Sequence, residues 1–296
     1  MTADPTGPGP AIPVAPPSPS RHVHATGQRR VVAVRGEQRR EVEDQLAGEE
    51  PIEIRAHGPG QAPRAVVTTM RTPGHEAELA VGWLFSEGLL RPGEVAAIDL
   101  ADPGSAARPD DTVTVRLTRP LDLDAVVERH VAATAACGVC GRASIEELAA
   151  RCEPVASPAS VPWSVLAMLP DRLRDAQTVF AATGGLHATG LFTTDGTLVT
   201  LREDVGRHNA MDAAIGVHVL AGEVPLSAHV AVLSGRVGFE LVQKAIVAGI
   251  PVVAAVGAPS DLAVRTAERF GVCVVGFLRD GDGNVYCHPQ RIDLDT

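Results

Sequence analysis

The hydrophobic pattern changes character partway along the chain. In the first half apolar and polar residues alternate: Ile52 and Ile54 are interleaved with Glu53 and Arg55, Ala65 to Thr69 is rich in β-branched residues, and Thr112 to Leu117 alternates again. A period of two marks strands with one buried face, so three strands are predicted here. Thr72-Pro73-Gly74 stops the second of them. From His75 to Leu90 the residues Leu79, Trp83 and Leu84 fall near helical spacing, which predicts a helix with a last turn weakened by Gly88. Asp102-Pro103-Gly104 and Arg108-Pro109-Asp110-Asp111 read as turns.

The second half has a different rhythm. Val230-Ala231-Val232-Leu233, Pro251 to Val256 and Val272 to Leu278 are short, continuously apolar runs, and helices are predicted between them from about Phe239 to Ala248 and from about Ser260 to Phe270. Such strands, alternating with helices, indicate a parallel sheet covered on both faces. Right-handed crossovers then place the loops after Leu233, Val256 and Leu278 along one sheet edge, where ligands of open α/β sheets bind. An apolar strand over Leu198 to Leu201 and a helix bearing Met211 and Ile215 precede this array. The fold expected is α/β with a largely parallel sheet, plus a smaller N-terminal α+β part.

At the front of the chain, Met1 to about Arg30 is rich in Pro, Gly, Ser and Ala without periodicity, and a disordered tail is expected. Val31 to Val34 predicts a first edge strand. The expected division is a tail over 1–30, an α+β part over 31–130, and a cysteine loop with the α/β domain over 131–296. Aromatic residues make up only 3%, so the core must be assembled from Ala, Val, Leu and Ile. A formal net charge of −10 argues against nucleic acid as a partner. No apolar run approaches the roughly 20 residues that cross a bilayer, and no signal-peptide core is visible, so a cytoplasmic location is expected.

Five cysteines stand at 137, 140, 152, 273 and 287, an odd number unlike a disulfide framework. Cys137 and Cys140 form the close pair Cys137-Gly138-Val139-Cys140-Gly141, followed by Arg142 and by Ser144 with Glu147, which fits a capping box. Thiols on a Gly-rich loop ahead of a helix N-terminus and beside an arginine are accessible and favoured as thiolates. A second thiol can then attack or hold what the first one carries. Three uses stay open on this motif alone: structural zinc with His130 and Cys152 recruited, a redox dithiol, and sulfur carriage. The remaining cysteines read as small buried hydrophobes.

Four further stretches carry polar groups. Thr183-Gly184-Gly185-Leu186-His187 is either a phosphate cradle or a turn between two strands, and it lacks the ending of a P-loop. Arg202-Glu203-Asp204-Val205-Gly206-Arg207-His208-Asn209 sits at a strand-to-helix junction, where Arg207 and His208 suit a phosphate. Ser234-Gly235-Arg236 and Phe277 to Asp282 each follow an apolar strand. Together they suit a sizeable ligand with negative groups at the sheet edge.

In this order, Glu49-Glu50-Pro51-Ile52, Met70-Arg71-Thr72-Pro73-Gly74, the Cys137–Gly141 stretch, Thr183–His187, Arg202–Asn209 and Asn284-Val285-Tyr286 resemble the FdhD family of formate dehydrogenase accessory sulfurtransferases, over roughly Gln45 to Ile292. The resemblance implies sulfur taken as a cysteine persulfide from a cysteine desulfurase and passed to molybdenum cofactor, as the bis(molybdopterin guanine dinucleotide), for formate dehydrogenase. It implies Cys137 as persulfide carrier and Cys140 as its partner. The guanine dinucleotide would be held by Phe277, Leu278, Arg279, Asp280, Gly281 and Asp282. It also implies a cytidine-deaminase-like larger domain, a homodimer, and no resident metal. Two departures stand out. Gly238 occupies a position where the family commonly has Ser, and Asp280-Gly281-Asp282 is less basic than usual.

Two rival functions belong to other classes. A zinc-dependent deaminase would carry H-x-E and P-C-x-x-C, and neither is present. A chaperone that only shields the cofactor would leave both thiols dispensable.

Overall fold

The computed structural model describes residues 25–100, 111–122, 145, 146 and 148–294. Most of the N-terminal tail, the turns at 102–104 and 108–110, His130, Cys137, Cys140, Arg142, and the Ser144 and Glu147 box lie outside these residues.

The chain opens with a hairpin of β1 (Thr26–Arg35) and β2 (Gln38–Ala47). The strand therefore starts inside the stretch expected as tail, and it pairs with a second long strand that the mixed-charge sequence hid. Next come β3 (Glu50–His57), β4 (Arg64–Arg71), α1 (Glu76–Ser86), β5 (Val95–Asp99) and β6 (Thr112–Leu117). The three alternating segments of the sequence are β3, β4 and β6, and with β5 they form a four-stranded sheet in the order β4-β3-β6-β5. The helix is shorter than its apolar pattern, because Gly88 adopts a left-handed backbone (φ 73°) just beyond it.

The second half runs β7 (Val161–Pro162), α2 (Trp163–Leu166), α3 (Leu169–Ala176), α4 (Thr178–Thr183), β8 (His187–Thr193), β9 (Leu198–Asp204) and α5 (Arg207–Ala221). It continues with β10 (His229–Leu233), α6 (Phe239–Ala248), β11 (Val252–Ala255), α7 (Asp261–Phe270), β12 (Cys273–Arg279), β13 (Asp282–Cys287) and β14 (Ile292–Asp293). A six-stranded sheet has the order β13-β12-β11-β10-β8-β9.

The expected parallel array is its centre: β10, β11 and β12 are parallel and connected through α6 and α7. The sheet as a whole is more mixed than expected, since β8 is antiparallel to both β10 and β9, and β13 is antiparallel to β12. Connection length explains this. The β8–β9 and β12–β13 links are short turns, which join only antiparallel neighbours, whereas each parallel step needs a helix to cross back.

Alternation within the continuous apolar strands splits their side chains between two cores. Ala231, Leu233, Val253, Ala255 and Val274 face α5, α6, α7 and α1, whereas Val230, Val232, Val252, Ala254 and Val275 face Leu166, Leu169 and Leu173 of α2 and α3. The first core continues through α1 to Ile52, Ile54, Val113 and Val115 of the four-stranded sheet and includes Ile145 and Leu148.

The crossing of α1 on α5 is set by two glycines. A Cβ on Gly82 would lie 1.8 Å from the Asp212 carbonyl oxygen, and one on Gly216 would lie 1.9 Å from that of Glu78. The two backbones thus approach more closely than any other residue allows.

Candidate functional site at the sheet edge

The sheet topology brings the polar motifs of the second half to one edge. Because β8 runs antiparallel to both neighbours, its start at His187 lies beside the end of β9 at Asp204, and Thr189 pairs with Leu233 at the end of β10. The Thr183–His187, Arg202–Asn209, Ser234–Arg236 and Phe277–Asp282 stretches therefore share the edge at the carboxyl ends of the parallel strands. Thr183–His187 is a helix-to-strand turn, with Gly184 closing α4 in a left-handed conformation. The expected strand-to-strand turn is corrected accordingly, since α4 was not visible in a segment too short for helical periodicity.

Backbone hydrogen bonds lace the edge loops together: Gly257 N–H donates to Gly235, Val237 N–H to Ala258, and Phe277 N–H to Gly257. A Cβ on Gly257 would stand 2.8 Å from the Gly235 carbonyl oxygen. Ser234 Oγ accepts from Ala188 N–H, fixing the β8–β10 corner.

Three helices begin at this edge. Ser260 caps α7 with its side chain, accepting from Ala263 N–H. By contrast, α5 and α6 start after Gly206 and Gly238 and have no side-chain cap. Their first-turn N–H groups leave a partial positive charge at the edge. Arg207, Arg236 and Arg279 add full charges and make no ion pair among the described residues.

Most polar groups in Arg202–Asn209 have a definite partner. Glu203 accepts from the Val179 and Phe180 amides and so caps α4, and Arg202 donates to Glu78. Asp204 is buried, and its carboxylate accepts from Thr72 N–H, Gly206 N–H and Asn209 Nδ2, which ties the Met70–Gly74 motif to the start of α5. Burial pushes its pKa up to about 6 against those hydrogen bonds and against Arg71. His208 meets Glu240 of α6 at 2.7 Å. His187 holds its proton less readily than usual, through burial first and then Arg207 and His208.

The residues Phe277 to Asp282 divide by environment. Phe277 and Arg279 are exposed, Leu278 puts its side chain in the core, and Asp280-Gly281 is the two-residue turn between β12 and β13. Both turn residues have positive φ (54° and 85°), the geometry that Asp-Gly supplies. Phe277 itself has φ 54°, a strained backbone for a bulky residue, at the register shift between Gly276 and Arg279 within β12. Glu240 went unnoticed in the sequence. The signal that points to it is the repeat of opposite charges, His208 with Asp212 on α5 and Glu240 with Lys244 on α6, each four residues apart.

The three described cysteines are all unfavourable as thiolates. Burial pushes the Cys273 thiol to about 12 and the Cys287 thiol to about 11, and it raises Cys152 as well. Among the described residues no cluster of three or more His, Cys, Asp or Glu side chains is placed to hold a metal ion.

A family model described as FdhD/NarQ family matches residues 47–293. The chain is 44% identical over 279 residues to the sulfur carrier protein FdhD of Mycolicibacterium paratuberculosis, covering 91% of this chain and all of that one. It is 46% identical over 278 residues to the protein of the same name from Nocardia farcinica, covering 90% and 95% of the two chains. A crystal structure from Desulfotalea psychrophila, of a protein described as a formate dehydrogenase accessory protein, superposes with a TM-score of 0.70 at 22% identity, covering 91% of this chain and 100% of that one. No helix among the described residues is long and apolar enough to cross a membrane.

Proposed function

The chain belongs to the FdhD/NarQ family, and from that premise we propose that it is a sulfur carrier. It takes sulfur from a cysteine desulfurase as a persulfide and hands it to molybdenum cofactor destined for formate dehydrogenase. Cys137 carries the persulfide and Cys140 assists. A thiolate at Cys137 attacks the outer sulfur of the donor persulfide, the donor thiolate leaves, and the sulfur then passes to the cofactor. The working form is a cytoplasmic homodimer.

The observation that carries this reading is the sheet edge. Two uncapped helix N-termini and three arginines without an ion pair among the described residues lie where the loops after four strands meet. That environment suits a large ligand with several negative groups, as the phosphates of a bis(molybdopterin guanine dinucleotide) are. Exposed Phe277 and Arg279, with the backbone of the Asp280-Gly281 turn, hold the nucleotide end. Leu278 contributes only its main chain, because its side chain is committed to the core. The thiol chemistry falls to Cys137 and Cys140, since burial keeps the other three cysteines protonated.

The test is a Cys137→Ala, Cys140→Ala double variant in cells that lack the natural protein. Formate dehydrogenase activity is expected to be lost, and restored activity would favour a shielding chaperone instead. Mass spectrometry after incubation with a cysteine desulfurase and cysteine assigns the roles. Cys137→Ala should gain no labile sulfur, and gain of sulfur by Cys137→Ala but not by Cys140→Ala would reverse the two.

A further inference from the structure

The hairpin of β1 and β2 has no use in the reading above, and its two edges differ. β2 carries Arg39, Arg40, Glu41, Glu43 and Asp44, and it packs against α4. β1 carries the continuous apolar run Val31-Val32-Ala33-Val34. Elsewhere in this chain such runs form the inner strands of a sheet, yet here Val32 and Val34 are 59% and 62% exposed. Among the described residues the sheet ends at β1, with no third strand beside it. Charged side chains keep a free edge from pairing, and β1 lacks them along its middle.

The hydrogen-bond ladder shows which groups the free edge offers. Gly48 N–H donates to the Ala25 carbonyl at 2.7 Å, one step beyond the Thr26–Ala47 pair, so the ladder bonds fall on the odd-numbered residues of β1. In an antiparallel pair the residues between them turn N–H and C=O outward. Those are Gln28, Arg30, Val32 and Val34. Such outward groups are what an extended segment bonds when it adds a strand to a sheet. Charge then selects the segment. Arg29 and Arg30 precede the apolar run and Arg35 follows it. Arg30 meets Glu43 at 3.3 Å, whereas Arg29 and Arg35 make no ion pair among the described residues. A second copy of β1 fits this edge poorly. Two-fold antiparallel pairing centred on Val32 sets Arg29 opposite Arg35 of the second copy. Centring on Ala33 sets the same two residues diagonal to each other, and centring on Val31 or Val34 sets Arg30 or Arg35 diagonal to its own image. Like charges so placed repel.

We propose that the outer edge of β1 is a docking strand for a protein partner that supplies an extended segment, apolar at its centre and acidic at both ends. Main-chain hydrogen bonds to Gln28, Arg30, Val32 and Val34 hold the segment, and its acidic ends meet Arg29 and Arg35. The whole chain has a net charge of −10, so these two arginines steer an acidic segment to this strand rather than to the rest of the surface. The hairpin is rooted beside the candidate site. Ala47 Cβ lies 3.1 Å from where a Cβ on Gly185 would stand, and Thr72 Oγ1 donates to the Gly48 carbonyl at 3.0 Å. A partner held on β1 is therefore held next to the Thr183–His187 stretch. The inference stands on the hairpin alone and does not depend on the sulfur-carrier reading.

Fluorescence anisotropy tests this with a labelled peptide of about nine residues, alternating valine and threonine between glutamates at both ends, and with a twin that has lysines in place of the glutamates. The full-length protein should bind the acidic peptide roughly tenfold more tightly than its twin. Val32→Pro removes one outward N–H and leaves the ladder to β2 whole. It should weaken binding roughly tenfold at an unchanged Tm, while Val32→Thr binds as the wild type does. Arg29→Glu combined with Arg35→Glu should reverse the preference between the two peptides. That double variant keeps the backbone of β1 intact and decides the matter if Val32→Pro lowers Tm. Failure of the wild type to bind the acidic peptide, or an unreversed preference in the double variant, would overturn the proposal. Sedimentation tests the other occupant: self-association of the wild type that Val32→Pro abolishes would place a second copy on β1 and overturn it as well.

Discussion

The same two helices, α5 and α6, are joined by two ion pairs one turn apart, and the two could hardly be less alike. At the edge, His208 and Glu240 are 33% and 61% exposed. Four residues further along each helix, Asp212 and Lys244 meet at 2.8 Å with side chains 1% and 7% exposed. Lys244 Nζ donates to both carboxylate oxygens, and Ser86 of α1 donates a third hydrogen bond. Burial pushes the Asp212 carboxyl up, while Lys244 and Ser86 pull it back. The deeper pair is saturated and inaccessible, so its role is to lock three helices in register. The outer pair has water on one side and free valence on the imidazole. Depth alone separates a saturated fastener from a contact that solvent reaches.

The strongest way to break this comparison is to remove one half of the buried pair. Lys244→Met should cost about 3–5 kcal/mol of unfolding free energy, because it strands a carboxylate inside the protein. The deficit should shrink as pH falls, since a carboxyl with a raised folded pKa binds its proton earlier in the folded state than in the unfolded one. Asp212→Leu combined with Lys244→Met should recover most of the loss. Denaturant titrations measure all three, and a single-variant loss below about 1 kcal/mol would mean that the buried pair is no fastener.

Asp204, one turn before His208 in sequence, sharpens the comparison, as it is buried and among the described residues has no salt bridge like that of Asp212. Its folded pKa of about 6 lies above the ordinary value of 3.8, so its contribution to stability is greatest at low pH and is lost as pH rises through 6. On the order of 2–3 kcal/mol is at stake for a shift of this size. Asp204→Asn should remove this falling limb between about pH 4 and 6 while weakening the hydrogen bonds to Thr72 and Gly206 at every pH. An unchanged slope of unfolding free energy against pH in that window would contradict the raised pKa. The smallest effect is expected at the outer pair, where Glu240→Gln should change stability by no more than about 1 kcal/mol at neutral pH. A larger loss in thermal or denaturant unfolding would make that pair as structural as its buried neighbour.

Much of the fold was legible because periodicity reports burial directly. The strand over Thr112–Leu117 and the helix over Phe239–Ala248 match their apolar patterns to the residue, and the Val230, Val252 and Cys273 strands lie where continuous apolar runs placed them. The hairpin of β1 and β2 was only half visible, because its side chains are largely exposed and no face selects a pattern: Val32 and Val34 remain 59% and 62% exposed. The site was legible as separate motifs and not as a site. Phe277–Asp282 and Arg207–His208 could be read as candidates, but nothing in the chain between them says that they share an edge.

What the sequence by itself determined is therefore local and repeating: which segments bury one face or two, and where Gly and Pro end them. The ordered set of motifs also carried the family. Only the tertiary structure decided that β8 enters antiparallel beside β10, which brings His187, Asp204 and Ser234 together from three strands. It likewise decided that Gly82 and Gly216 let α1 sink onto α5, and that of two equal charge spacings one is drowned in the core and one left at the rim. The physical reason is that hydrophobic periodicity is written between near neighbours, whereas desolvation and pairing of charges depend on which distant surfaces close over them.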